Sequence, residues 1–144
     1  AQWVRSQPQA WCANDANHFR WTRRFSVAEL SGLVNKYHKV GTVTAIEPGA
    51  RGRSGRLRSC RVTGTGGSVN IEKELGIRLA FGGLPSAVFT VEKTGAAFVF
   101  HGAGRGHGVG MCQHGARAMA AAGQSHEQIL RHYFTGVNLS RINY

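Results

Sequence analysis

Between Phe100 and Ala116 the chain reads Phe-His-Gly-Ala-Gly-Arg-Gly-His-Gly-Val-Gly-Met-Cys-Gln-His-Gly-Ala. Glycines at 102, 104, 106, 108 and 110 free the backbone to visit positive φ. They also let another molecule approach the main chain closely, because no Cβ intervenes. An apolar, strand-like segment, Ala97-Phe98-Val99-Phe100, leads into the run, and an alanine-rich, helix-forming one, Met111 to Ala122, leads out. The spacing predicts a strand feeding a glycine loop, and the loop feeding a helix N-terminus.

A glycine loop before a helix serves phosphate cradles, oxyanion holes and plain tight connections alike. It is not a Walker loop, since no Gly-Lys-Ser/Thr follows. It is not a dinucleotide fingerprint either. The segments before it are hairpin-like rather than βαβ, and no acidic residue lies about 20 positions on.

Composition narrows the partners. With 144 residues the chain is at most one domain, yet long enough for a real core. Lys and Arg number 18 against 7 Asp and Glu, a net charge of +11. That balance favours anionic surroundings, whether nucleic acid, anionic lipid or an acidic wall polymer. No run of 18 apolar residues exists, so no membrane-spanning segment is expected. The first residue is Ala1 and no signal peptide opens the chain, so it reads as a processed or trimmed piece. Cys12, Cys60 and Cys112 are widely spaced and form no Cys-x-x-Cys, which argues against a zinc ribbon or redox motif. One disulfide with a thiol left over, or three buried thiols, are the readings left open; burial is favoured by the usual habit of unpaired cysteine.

Taken in order, Ala1 to Arg24 shows no clean period, and Trp3, Trp11, Phe19 and Trp21 are expected to pack as an aromatic strap with solvated arginines. Ser26-Val27-Ala28-Glu29 is a capping box ahead of a Leu30, Leu33, Val34, Tyr37 stripe, predicting a helix over 27–37. Strands are predicted over 40–48 and 56–64, joined by a cationic loop, Arg51 to Arg56, read as a solvated tip. Ser68 to Gly76 reads as a short helix closed by Gly76. A hairpin is expected over 87–101. Val109, Cys112, Ala116 and Met119 keep helical spacing, predicting a helix over 109–122 that buries that stripe. Ser125 to Gln128 is a second capping box, opening a helix over 126–135 ahead of an extended tail, 137–144.

The fold class that follows is α+β: a curved antiparallel sheet, or a small barrel-like one, with three helices and a glycine-rich strand-loop-helix at the cleft. Residues 1–26 form the strap and 27–144 the core. Metal binding by His101, His107, Cys112 and His114 is disfavoured, because Cys112 and His114 two apart on a helix diverge by about 200°. Nucleophilic catalysis by Cys112 with His107 or His114 is disfavoured by the burial stripe. Neither a metal nor a cofactor is expected.

The wording Gly106-His107-Gly108-Val109-Gly110-Met111-Cys112-Gln113-His114-Gly115-Ala116 resembles the signature of the SpoIID family, sporulation stage II protein D and LytB-like peptidoglycan proteins. His114 stands where that pattern usually has an aromatic, and Arg105 where tryptophan is common. Trp11 to Ser26, Val69 to Gly76, Ala87 to Phe100 and Ser125 to Gly136 are similar to other parts of the family domain. The resemblance implies an extracytoplasmic protein of the bacterial envelope acting on peptidoglycan glycan strands, with other cell-wall enzymes as further partners. In the best-understood members it implies a lytic transglycosylase whose catalytic glutamate lies on a helical segment upstream of the region matched here.

The carboxylates present are Asp15, Glu29, Glu47, Glu72, Glu74, Glu92 and Glu127, and no segment resembles that helix. The chain therefore reads as the C-terminal, substrate-cradling portion of a SpoIID-like domain. Arg105, Gly106, His107, Gly108, Gly110, Gln113 and His114 are its expected substrate-binding residues, and close backbone approach is expected at Gly108 and Gly110. A non-catalytic wall-binding or amidase-enhancing module of the LytB-like kind needs the loop and no glutamate. A basic nucleic-acid-binding domain needs only the charge, and nucleic acid is not the expected partner.

Overall fold

The structure, a computed structural model, describes residues 10–14 and 19–140. Trp3, Asp15 and the tail beyond Ser140, which entered the readings above, lie outside the described residues.

Strand β1 (Arg20–Ser26) leads into helix α1 (Val27–Asn35). Then come β2 (Val43–Pro48), β3 (Ser59–Gly64), β4 (Gly67–Glu72) and α2 (Glu74–Ala80). The chain closes with β5 (Phe89–Thr94), β6 (Ala97–Ala103), α3 (Gln113–Ala121) and α4 (His126–Tyr133). The class is α+β, with two three-stranded antiparallel sheets, ordered β1-β6-β5 and β2-β3-β4, in place of one curved sheet. Among the described residues four helices are present where three were counted for the core.

Two segments differ in kind from the sequence reading. The end of the expected strap is a strand: β1 pairs with β6 from Arg20↔Ala103 to Ser26↔Ala97, sending Trp21 into the core and leaving Thr22, Arg23 and Arg24 exposed. The expected helix from Ser68 is instead β4, paired with β3 across the two-residue turn Thr65-Gly66. Ile71 is buried and Ser68, Asn70 and Glu72 are exposed, the period of two that a half-buried strand requires. Helix α2 begins only after Lys73, whose φ of +67 redirects the chain, and Gly76 lies inside that helix rather than capping it.

One core serves both sheets. Trp21, Phe89, Phe98 and Phe100 enter it from one sheet, and Val43, Cys60, Val62 and Ile71 from the other. Leu30 and Val34 of α1 and Ile77 and Ala80 of α2 close it. Phe81, Phe89 and Phe100 meet with centroids 5.1–6.1 Å apart in tilted or edge-on pairs, the arrangement that ring quadrupoles favour. Helices α3 and α4 pack against each other at the far end of the glycine loop. The loop is thus the bridge between the sheet core and this helical pair.

Candidate functional site

The glycine loop leaves β6 under constraint. Gly102 lies against Trp21 so closely that a Cβ there would fall 2.1 Å from the indole ring. The indole Nε1–H reaches past it to donate to Gly104 O at 3.0 Å. Gly104 N–H donates to Phe19 O at 3.2 Å, and the buried Ser86 hydroxyl donates to Ala103 O at 2.7 Å. Backbone groups at a strand end need partners once buried, and here β1 and the 85–88 segment supply them from opposite sides.

From Gly104 onward, four alternate glycines, at 104, 106, 108 and 110, have φ between +69 and +79. A side chain at these positions would cost about 1–2 kcal/mol each in left-handed strain, so the alternation is a conformational requirement. Gly106 N–H donates to Pro85 O at 2.9 Å. On its other side Gly106 O accepts from Arg56 Nε at 3.2 Å and Nη2 at 3.1 Å.

Arg56 corrects two expectations. The cationic loop is not a solvated tip. Leu57 N–H donates to Ala87 O, Arg51 Nη2 to Phe89 O at 2.7 Å, and Arg56 to the glycine loop, so only Arg53 of its arginines is exposed. Burial pulls both guanidiniums down from their ordinary value, and for Arg56 the neighbouring Glu74 opposes that pull. The space over Gly108 is also not open for ligand approach, because a Cβ there would sit 2.1 Å from Arg56 Cζ. Gly106 and Gly110, by contrast, have nothing within 4 Å of the same point.

The second half of the loop is open. His107 Nδ1 accepts from Val109 N–H at 3.0 Å, which in the neutral ring leaves the proton on Nε2. Val109 and Met111 are exposed at 76% and 40%, high values for apolar side chains. Val109 and Cys112 do not belong to a helical stripe, since α3 starts at Gln113. Cys112 is instead its N-cap, with Sγ accepting from Gly115 N–H at 3.4 Å. A thiol reads as helical by spacing and acts as a cap because the last left-handed glycine, Gly110, delays the first turn.

All seven residues expected at the site, Arg105, Gly106, His107, Gly108, Gly110, Gln113 and His114, line one open cavity of about 540 Å³. Arg56, Phe19 and Cys12 also line it and were not foreseen, because they come from distant segments. Among the described residues no carboxylate lines it. His101 is elsewhere, on the outer face of the β1-β6-β5 sheet, with Nδ1 3.3 Å from Thr22 Oγ1 and Nε2 3.2 Å from Glu92 Oε1. Cys12, Cys60 and Cys112 are not bridged, and only Cys60 is buried. Burial pushes the Cys60 thiol up to about 12.

Chemically the cavity offers uncharged donors: loop amides other than those of Gly104, Gly106 and Val109, the Nε2–H of His107, the Gln113 amide and the first turn of α3. They are rimmed by exposed apolar side chains, and Arg105 is the exposed cation. Such a surface suits a neutral, hydroxyl- and amide-bearing ligand.

Residues 5–110 match a family model described as a domain of unknown function, DUF8618. Over 123 residues the chain is 34% identical to Stage II sporulation protein D of Bacillus amyloliquefaciens. The chain is a SpoIID-like member of the DUF8618 family. That alignment covers 83% of the chain and 33% of the relative. Stage II sporulation protein D of Bacillus subtilis is 28% identical over 126 residues, 85% of the chain and 34% of that protein. The Amidase enhancer of Bacillus subtilis is 44% identical over 55 residues, 38% of the chain and 8% of that protein. This SpoIID-like chain thus spans about a third of the length of the two sporulation relatives. No helix among its described residues is long and apolar enough to cross a membrane.

Proposed function

We propose that this SpoIID-like chain holds peptidoglycan glycan strands in the glycine-loop cavity, in the bacterial cell envelope, as the substrate-cradling part of a cell-wall protein. The observation that carries the reading is the cavity itself. One glycine-rich stretch presents neutral hydrogen-bond donors beside a single exposed cation, Arg105, in a pocket without a carboxylate among the described residues. Neutral sugar hydroxyls and acetamido groups match such donors, and each bond contributes roughly 0.5–1.5 kcal/mol. The surplus of 18 Lys and Arg over 7 Asp and Glu adds attraction to an anionic wall.

Cleavage is the finer question. Glycoside bond breaking needs a carboxylic acid of raised pKa beside the leaving oxygen. None of the carboxylates of Glu29, Glu47, Glu72, Glu74, Glu92 and Glu127 lines the cavity. The chain alone therefore binds without cutting, and a lytic transglycosylase activity belongs to a longer protein that brings a glutamate to this cradle. The similarity to the Amidase enhancer favours the alternative of a non-catalytic, amidase-enhancing module. Incubating the 144-residue chain with purified sacculi tests both parts. Co-sedimentation without release of soluble anhydro-muropeptides is expected. Release of those products overturns the division of labour, and absence of co-sedimentation overturns the glycan reading.

A further inference from the structure

Beside the glycine-loop cavity lies a second one of about 790 Å³, lined by Ala10, Trp11, Ala13, His132 and Tyr133 together with Cys12 and Cys112. Those two cysteines line both cavities, so the two are contiguous. We infer that the second cavity is a carbohydrate subsite, with Trp11 as its aromatic platform, that takes the next sugar of a strand seated in the first. The inference rests on the glycan reading above and adds residues that reading does not contain.

Three observations support it. Trp11 leaves 41% of its surface in solvent beside an apolar wall, although a large aromatic gains most from burial. Tyr133 is held on two sides. Its hydroxyl occupies the notch that Gly115 leaves, where a Cβ would lie 2.0 Å away, and the His132 ring meets it edge-on at 4.8 Å. A rigid aromatic wall loses little freedom when a ligand settles on it. The charge is also selective. Among the described residues no Lys, Arg, Asp or Glu lines this cavity, and His132 is the one imidazole that does.

The occupant is therefore neutral, with an apolar face as well as polar edges. The C–H face and acetamido methyl of an N-acetylated pyranose have that character. A polar cradle followed directly by an aromatic wall fits a polymer whose units carry both kinds of surface, and the spacing of two such subsites selects for length.

The test uses β-1,4-linked N-acetylglucosamine oligomers of two and four units with the full chain. The parent is expected to bind the tetramer more tightly than the dimer. Trp11→Ala should weaken tetramer binding roughly two- to tenfold and remove that gain, while Trp11→Phe retains most of it. His107→Ala should weaken both oligomers alike. The Trp11 indole N–H resonance of the parent reads the same site without substitution, and should shift with the tetramer more than with the dimer. An undiminished length gain in Trp11→Ala, or an unmoved indole resonance under saturating tetramer, overturns the subsite while leaving the glycine-loop cradle standing. No oligomer binding by the parent overturns both.

Discussion

Gly106 and Gly108 make the same demand on the backbone in opposite surroundings, so a pair of alanine substitutions separates conformation from packing. Their φ values are +74 and +69. Either alanine therefore costs about 1–2 kcal/mol of left-handed strain. At Gly106 the new methyl meets nothing within 4 Å, and the strain is the whole effect. At Gly108 the methyl lies 2.1 Å from Arg56 Cζ and Nη1, so the guanidinium must leave. Its two donations to Gly106 O, at 3.1 and 3.2 Å, go with it. A hydrogen bond from a charged donor contributes about 1.5–3 kcal/mol, and the partial exposure of Arg56 places the pair near the value of one such bond. The totals are then about 1–2 kcal/mol for Gly106→Ala and about 2.5–5 kcal/mol for Gly108→Ala. For a domain of this size each kcal/mol lowers Tm by about 3–4 °C. Urea unfolding followed by far-ultraviolet circular dichroism measures the difference. In an Arg56→Ala background the excess cost of Gly108→Ala should vanish. Equal costs in the parent, or an excess that survives without Arg56, would refute the clamp.

Three further outcomes are expected. Gly115→Ala should push the Tyr133 hydroxyl out of its notch and loosen α4 from α3, costing about 1–3 kcal/mol as overpacking does, read by thermal melting. Burial holds the Cys60 thiol up at about 12 against an ordinary 9.0, with Arg51 partly opposing the shift. The raised value means that the thiol's preference for the folded state is fully present below about pH 9 and is lost as pH rises toward about 12. Stability should therefore fall across that window by an amount approaching 1.4 kcal/mol per pH unit, and Cys60→Ala, less stable than the parent below about pH 9, should show a shallower fall in urea titrations. His107→Ala and Gln113→Ala change exposed side chains and should shift stability by less than about 0.5 kcal/mol. Each should nonetheless weaken binding to peptide-free glycan strands about three- to tenfold by isothermal titration calorimetry.

Local chemistry was legible wherever it acts over a few residues. Both capping boxes form as written: Glu29 Oε2 accepts from Ser26 N–H at 2.8 Å, and Gln128 Oε1 accepts from Ser125 N–H at 2.7 Å. Those bonds hold the Glu29 carboxyl below its ordinary value and occupy it structurally. The β5-β6 hairpin and the strand-loop-helix order were readable for the same reason. Strand β1 was not, because Arg20, Arg23 and Arg24 mask the alternation of Trp21 and Phe25, and its pairing with β6 spans most of the chain. Strand β4 was obscured by Glu72, Lys73 and Glu74, which suit a helix, while the turn at Thr65-Gly66 decides for pairing. Arg56 was beyond reach of any local pattern. It acts on a residue 50 positions away, and an arginine in a glycine-rich basic loop has the same appearance whether solvated or clamped. The loop was thus legible in its glycines, while the groups that shape it are visible only in the fold.

The most direct test of the central claim is a map of backbone amide chemical shifts during titration of the ¹⁵N-labelled chain with peptide-free peptidoglycan glycan strands. The glycine-loop cradle predicts progressive, saturable shifts concentrated at the amides of residues 104–110 and at Gln113 and His114, recovered at saturation when salt is raised because the bonds are to neutral hydroxyl and acetamido groups, although each muramic acid adds a carboxylate. Shifts confined to the exposed faces of the two sheets, or shifts that disappear with salt, would contradict it.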